Sequence, residues 1–266
     1  MKFCVVISKK DLAGLNIAKE LRKLDDKINI IEEDKEIIYL ENIDKTLNFD
    51  FIIFASKHQS KKQVKSLTVH NIGNWKEADF GGTSKKVSPS IAGLNKKMFQ
   101  ILFKKSENLK DFIISMECTH HGPYIEKPSI FIEIGSSKEE WQNPELGKII
   151  AKTIKEFVYV NSSNEKSENG VGIGIGGPHY CNNFNEIQLN SSIAISHVIP
   201  EYVLPLNKEM INEALNKTIE KVKYFVIDWK GIGNSESKKQ VIDLLDYFSK
   251  EKGIQIIKTK EAKKIS

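Results

Sequence analysis

Short runs rich in Ile, Val and Phe alternate along the chain with longer stretches whose apolar residues recur at helical spacing. Unbroken apolar runs of strand length suit strands covered on both faces, as in parallel sheets. This reading predicts strands at 3–7, 28–32, 36–40, 51–55, 66–69, 111–117, 129–134, 171–175, 192–197, 224–228 and 254–258. It predicts helices at 12–24, 91–106, 143–158, 207–222 and 235–250. The pattern implies an α/β fold with a mixed, largely parallel sheet flanked by helices. Asp11 stands where an N-cap should be, its carboxylate able to accept from the amides of the first turn. Pro144 suits a first-turn position in the 143–158 helix. The segments 81–89 and 161–170 read as loops from their turn formers and polar residues. Nothing in the pattern marks a boundary, so the chain is read as one domain, 1–266.

Every one of the six histidines falls at or just beyond the C-terminal end of a predicted strand. His58 follows 51–55, His70 ends 66–69, His120 and His121 follow 111–117, His179 follows 171–175, and His197 closes 192–197. With strands running mostly parallel, that edge is where loops converge around a ligand crevice. Imidazole there can act as acid or base, stabilise an oxyanion, or bind a metal. Glu117 lies beside the His120–His121 pair and could be a base, a ligand or a group that orients an imidazole, as could Glu133 at the end of another strand. A salt bridge to one of the many lysines is the plain alternative for either acid. Gly172–Gly177 contains a formal GxGxxG, but a loop sequence follows it and no ribose-binding acid comes about twenty residues later. Those glycines are better suited to close approach of another backbone or a substrate.

Composition narrows the class. The chain has 266 residues, 40% hydrophobic, which is a globular composition. Its apolar runs are far too short to cross a bilayer, and its first residues lack a secretory layout, so a cytoplasmic location is expected. Three cysteines with no CxxC argue against a disulfide scaffold. The net charge is +5, carried by lysine, since Arg22 is the only arginine. A modest basic balance fits an anionic partner such as RNA, although a solvated lysine surface would look the same.

Glu117-Cys118-Thr119-His120-His121-Gly122-Pro123 resembles the ExTHHGP segment of the archaeal-type D-aminoacyl-tRNA deacylases. The likeness continues through Asp11 to Ile17, Ser56-Lys57-His58, Leu67 to Asn74, Phe131 to Ser136 with Trp141, Gly174 to Tyr180, His197 to Pro200 with Tyr202, and Asp228 to Gly231. It thus spans nearly the whole chain, with THHGP and GGPHY specific in combination. The resemblance implies a zinc-dependent esterase that frees D-amino acids such as D-tyrosine and D-aspartate from mischarged tRNA. The fold it implies is phosphorylase/hydrolase-like, similar in outline to peptidyl-tRNA hydrolase. Asn185 stands where a threonine is expected, and Glu201 where the family prefers lysine.

On this reading Glu117, His120 and His121 are the catalytic candidates, with Zn2+ held by His121, His179 and His197. His120, His58 and Glu117 are alternative ligands. Substrate contacts would come from His58, His70 and the Gly174, Gly176 and Gly177 segment, whose amides are candidate oxyanion donors. Lys57, Lys85, Lys86 and Lys230 would meet phosphates. The expected partner is tRNA, with no membrane, no obligate protein partner and a monomeric state. The rivals are a zinc-stabilised RNA-binding protein without catalysis, and a peptidyl-tRNA hydrolase or nucleoside phosphorylase-like enzyme.

Overall fold

The structure is a computed structural model and describes residues 1–60, 62–161 and 170–266. Most of the predicted loop 161–170 therefore lies outside the described residues. In chain order the strands are β1 (Phe3–Ser8), β2 (Ile30–Glu33), β3 (Phe51–His58), β4 (Ser66–His70), β5 (Gly73–Asn74) and β6 (Lys86–Val87). They continue as β7 (Ile113–Met116), β8 (Ser129–Gly135), β9 (Gly170–Ile175), β10 (Ile193–Ile199), β11 (Val222–Ile227) and β12 (Gln255–Lys258). The helices are α1 (Leu12–Leu24), α2 (Ile43–Thr46), α3 (Ala92–Lys105), α4 (Lys138–Gln142), α5 (Pro144–Asn161), α6 (Asn182–Asn190), α7 (Lys208–Asn216), α8 (Ser235–Lys252) and α9 (Thr259–Ala262).

Two larger sheets form. One has the order β2-β1-β3-β8-β4-β7, the other β10-β9-β11-β12. The second is parallel throughout, and in the first only the β4–β8 pairing is antiparallel. The fold is thus a mixed, largely parallel α/β arrangement flanked by helices. One buried cluster takes Ile53, Ile132 and Leu67 from the first sheet, Ile195 and Val226 from the second, and Met98, Phe99 and Leu102 from α3. Each such side chain contributes roughly 1.5–3 kcal/mol by leaving water, so α3 is the joint between the sheets. The opposite face of the first sheet carries a smaller cluster that includes Val6, Ile52, Phe54, Ile72 and Phe131. Among the described residues no helix is long and apolar enough to cross a membrane.

Local expectations hold at several ends. Asp11 Oδ1 accepts from the amides of Ala13 and Gly14 at 2.9 and 3.0 Å, and α5 begins at Pro144. Others need correction. The predicted strand 36–40 is a 3₁₀ turn over Ile37–Tyr39, in which Ile37 is buried and Tyr39 is not. The predicted helix 207–222 ends at Asn216, because the chain must bend so that Glu220 can cap α3. Its carboxylate accepts from Ala92 N at 3.0 Å and Gly93 N at 2.9 Å. The loop sequence expected after Gly177 gives way at Asn182 to α6, whose Phe184, Ile187 and Gln188 are buried at helical spacing.

Candidate active site

The register of the three central strands builds the site. Ser56 pairs with Glu133 and Glu133 with Thr68, while His58 pairs with Gly135 and His70 with Phe131. Side chains alternate faces along a strand, so Ser56, His58, Phe131, Glu133 and His70 share one face. Because β4 runs against β8, His58 and His70 arrive from opposite directions and meet over Glu133. The histidines therefore converge on a sheet face, whereas the sequence reading placed them at a C-terminal edge. The assumption that failed is the parallel direction of β4 and β7. Gly135 makes room for this meeting, since a Cβ there would stand 2.5 Å from Ser66 Oγ and 3.0 Å from His58 Cδ2.

Two buried carboxylates organise the imidazoles. His58 Nδ1 lies 3.1 Å from Glu117 Oε1 and 3.4 Å from Glu133 Oε2, and His70 Nε2 lies 3.6 Å from Glu133 Oε2. His120 Nε2 and His179 Nε2 lie 3.6 and 3.2 Å from Glu117 Oε2. Ser56 Oγ donates to Glu133 Oε1 at 2.6 Å. Both oxygens of Glu117 are buried, and these imidazole contacts lack hydrogen-bond alignment. The rings also pack on one another, with His70 to His120 at 4.2 Å, His120 to His121 at 4.4 Å and His120 to His179 at 4.6 Å between centroids. Phe131 forms the floor, stacked on His70 at 4.9 Å and 9°.

Electrostatics divides the cluster. Burial alone would raise Glu133, but the adjacent imidazoles of His58 and His70 hold it far below the usual carboxylate range. Burial opposes charge on Glu117 as well, and His179 and His58 lower it. Burial disfavours charge on His179, yet the contacts to Cys118 and Glu117 outweigh it and lift the imidazole to about 10. His58 is raised in the same contest by Glu133 and Glu117. His121 falls to about 4 through burial and the neighbouring His70. His120 falls well below its ordinary value from burial, with His70, His121 and His179 adding to it.

His121 sits at the tip of the turn with φ 42, a left-handed conformation that a non-glycine residue adopts at some strain. Its Nδ1 is 2.7 Å from Gly122 O, as His120 Nδ1 is 2.8 Å from Cys118 O. Two clefts reach the cluster. One, of about 400 Å³ with its mouth, is lined by Asp11, Glu36, Ser56, Lys57, His121 and Glu133. The other, of about 700 Å³ with its mouth, runs along Asn74, Trp75, Lys76, Thr119, His120 and Tyr202.

A family model described as D-aminoacyl-tRNA deacylase matches residues 45–256. The chain belongs to this family. It is 36% identical to a D-aminoacyl-tRNA deacylase of Pyrococcus abyssi, over 96% of this chain and 98% of that one. A relative of the same name from Methanocaldococcus jannaschii is 34% identical over 91% and 95%. A crystal structure described as a conserved protein of unknown function superposes with TM-score 0.89 at 31% identity, covering 99% of this chain and 97% of that one.

The structure of this deacylase-family chain gathers five of the six expected histidines and both acids. His197 stands apart. It lies inside β10, fully buried, with Nδ1 3.2 Å from Thr119 Oγ1 and its ring edge-on to Trp75 at 6.0 Å. Burial takes it to about 4. The trio His121, His179 and His197 expected to hold metal is not brought together. The groups of donor atoms lying within 4.8 Å of one another are His70, His120 and His121; Cys118, His120 and His179; His58, Glu117 and His179; and His70, Glu117 and Glu133.

The expected oxyanion donors are corrected too. Gly174 lies in β9 against the Phe184 ring, and the amides of Gly176 and Gly177 donate to Ile199 O at 2.8 Å and Gly231 O at 3.4 Å. Their φ values are 86 and 85, and the 228–232 segment presses close on them, so the neighbour they admit is this stretch of the chain. Of the lysines, Lys57 lines the first cleft and lies 3.8 Å from Glu36. Lys86 pairs with Glu213 at 3.2 Å, while Lys85 and Lys230 are exposed and line neither of the two clefts. Sequence reasoning missed Tyr180, whose hydroxyl lies 3.0 Å from His58 Nε2, and Thr119, which accepts from Val198 N at 3.1 Å. Their adjacency to His179 and His120 was the available signal. Asn185, the departure from threonine, accepts from Met116 N at 2.8 Å and donates to Ser115 Oγ at 2.9 Å, tying α6 to β7.

Proposed function

We propose that the chain hydrolyses the ester joining a D-amino acid to the terminal ribose of tRNA, and that it does so at the histidine cluster. The observation that carries this reading is the convergence of four imidazoles on Glu117 and Glu133, with His121 packed against His70 and His120, in a chain that matches D-aminoacyl-tRNA deacylases along nearly its whole length. We place it in the cytoplasm as a monomer, with the exposed lysines meeting tRNA phosphates as point charges.

The donor set fits a zinc ion. Glu117 presents two buried oxygens without an aligned hydrogen bond, His70 Nε2 is likewise unpaired, and imidazole and carboxylate are its usual ligands. His120 and His179, beside Glu117, would hold it. When bound, zinc would lower the pKa of a water to about 7 and polarise the ester carbonyl. The chain's own residues do the rest. Glu117 and Glu133 are closed to solvent and act by fixing imidazoles. His121 and His120 line the two clefts, and His179 is partly exposed beside them. His121, neutral at physiological pH, has Nδ1 held at Gly122 O, so Nε2 is free to take a proton. His58 stands between the two carboxylates and relieves their repulsion, itself held by Tyr180.

Matched D- and L-tyrosyl-tRNA test the reading by release of free amino acid. The D-ester should be cleaved and the L-ester largely spared, and equal turnover would overturn it. A strong chelator should remove activity and zinc restore it. Full activity in a preparation free of zinc and other transition metals would leave the imidazoles as acid–base groups alone.

A further inference from the structure

Of the three cysteines, two behave as small apolar side chains. Cys4 is buried within an aliphatic and aromatic cluster, and Cys181 Sγ reaches only its neighbour's carbonyl, His179 O, at 3.7 Å. Cys118 differs. Its Sγ lies 3.6 Å from His179 Nδ1 and 3.0 Å from Tyr202 Oη, and it shares a donor group with His120 and His179 within 4.8 Å.

We propose that Cys118 is a metal ligand, and that its thiolate forms, with His179 Nδ1 and His120 Nε2, a mixed sulfur–nitrogen seat for a zinc-class cation. The proposal rests on the metal-dependent reading above and names the seat within it. Three observations support it. Zinc–sulfur and zinc–nitrogen bonds of about 2.3 and 2.05 Å at a tetrahedral angle put the two donors about 3.6 Å apart, and Cys118 Sγ to His179 Nδ1 measures 3.6 Å. The tautomers agree. His179 keeps its Nε2 proton against Glu117 Oε2 at 3.2 Å, so a cation that displaces the second proton meets Nδ1 on the side of Cys118 Sγ. His120 donates from Nδ1 to Cys118 O at 2.8 Å, which leaves Nε2 bare. Charge agrees as well: one thiolate, two neutral imidazoles and the adjacent Glu117 carboxylate balance a dication.

Tyr202 sets the open side. It is 55% exposed and lines the larger cleft with Thr119 and His120, so a fourth ligand position would face that cleft. Three protein ligands and one open position is the arrangement of a hydrolytic zinc centre, whereas a structural site closes with four.

The test is loading the full chain with one equivalent of Co2+, a spectroscopic stand-in for zinc. The expected result is a near-ultraviolet thiolate-to-cobalt charge-transfer band, lost in Cys118→Ser and kept in Cys181→Ser. Zinc-loaded wild type should also show a sulfur shell at about 2.3 Å by X-ray absorption, which needs no variant to fold. Cobalt bound without the band, or a band that survives Cys118→Ser, overturns Cys118 as a ligand and leaves the metal reading intact. Failure of the chain to bind either metal overturns both.

Discussion

Lys96 places a cation inside the joint between the two sheets, and its cost can be measured without touching the active site. The residue is 5% exposed on α3, and its Nζ donates to Ile193 O at 3.0 Å and to Ser191 O. Burial pushes its amine from 10.5 down to about 8. A shift of about 2.5 units at about 1.4 kcal/mol each gives roughly 3 kcal/mol of penalty for keeping it charged in the folded protein. The two carbonyls return part of that, so the figure is an upper bound. The folded pKa is depressed below the unfolded one, so below about pH 8 both states are charged and the penalty is fully present. Between about 8 and 10.5 the folded protein releases its proton first, and stability rises with pH. In Lys96→Met that titration is absent. Subtracting the variant's unfolding free energy from the wild type's cancels every other group. The difference, read by urea denaturation, should grow by up to about 3 kcal/mol from pH 7 to pH 10.5 in favour of the wild type. A difference flat to within about 0.5 kcal/mol, or one that falls with pH, would refute the argument.

Gly177→Ala should lower stability by about 1–3 kcal/mol in thermal unfolding, because φ is 85 and a Cβ would stand 3.0 Å from Asp228 Oδ2. Glu220→Ala should cost about 1–2 kcal/mol and speed hydrogen exchange at the first turn of α3, since two capping bonds are lost. His121→Ala should fold with an unchanged circular dichroism spectrum and lose roughly 100-fold or more in kcat on D-tyrosyl-tRNA. Affinity for that tRNA should fall steeply with salt, and the Lys85→Ala, Lys86→Ala pair should flatten the slope.

Much of the fold was legible because buried parallel strands declare themselves as unbroken apolar runs. β1, β3, β8 and β9 are of this kind, each almost wholly buried. The direction of β4 was not legible: Ser66-Leu67-Thr68-Val69-His70 reads identically whichever way it pairs, and only the register with Phe131 to Gly135 decides it. The gathering of His58, His70, His120, His121 and His179 was anticipated from strand ends, but from the wrong geometry. His197 satisfied the same rule and is a core residue, since its burial depends on Trp75 and Thr119, distant in sequence. Cys118 neighbours histidines in the sequence, but a buried or incidental cysteine reads the same way, and its contact with His179 crosses 61 residues.

The reversal of β4 explains why carboxylates sit at the centre of the cluster. On one face of a largely parallel sheet, Glu133 would otherwise be a bare charge among Phe54, Phe131 and Ser56, at a cost of several kcal/mol. Antiparallel pairing brings His70 to Glu133 from the far direction while His58 reaches it from the near one. β7, parallel to β4, then delivers Glu117 and the two histidines after it onto the same face. Each acid is thereby flanked by imidazoles before any substrate arrives, which is why both remain ionised in spite of burial. The imidazoles left at the rim, His120, His121 and His179, are fixed from behind by these acids and by backbone carbonyls. They stand on the turns beyond β7 and β9, and it is contact with the buried acids, the neighbouring rings and the backbone carbonyls that holds them to the few tenths of an ångström that ester hydrolysis requires.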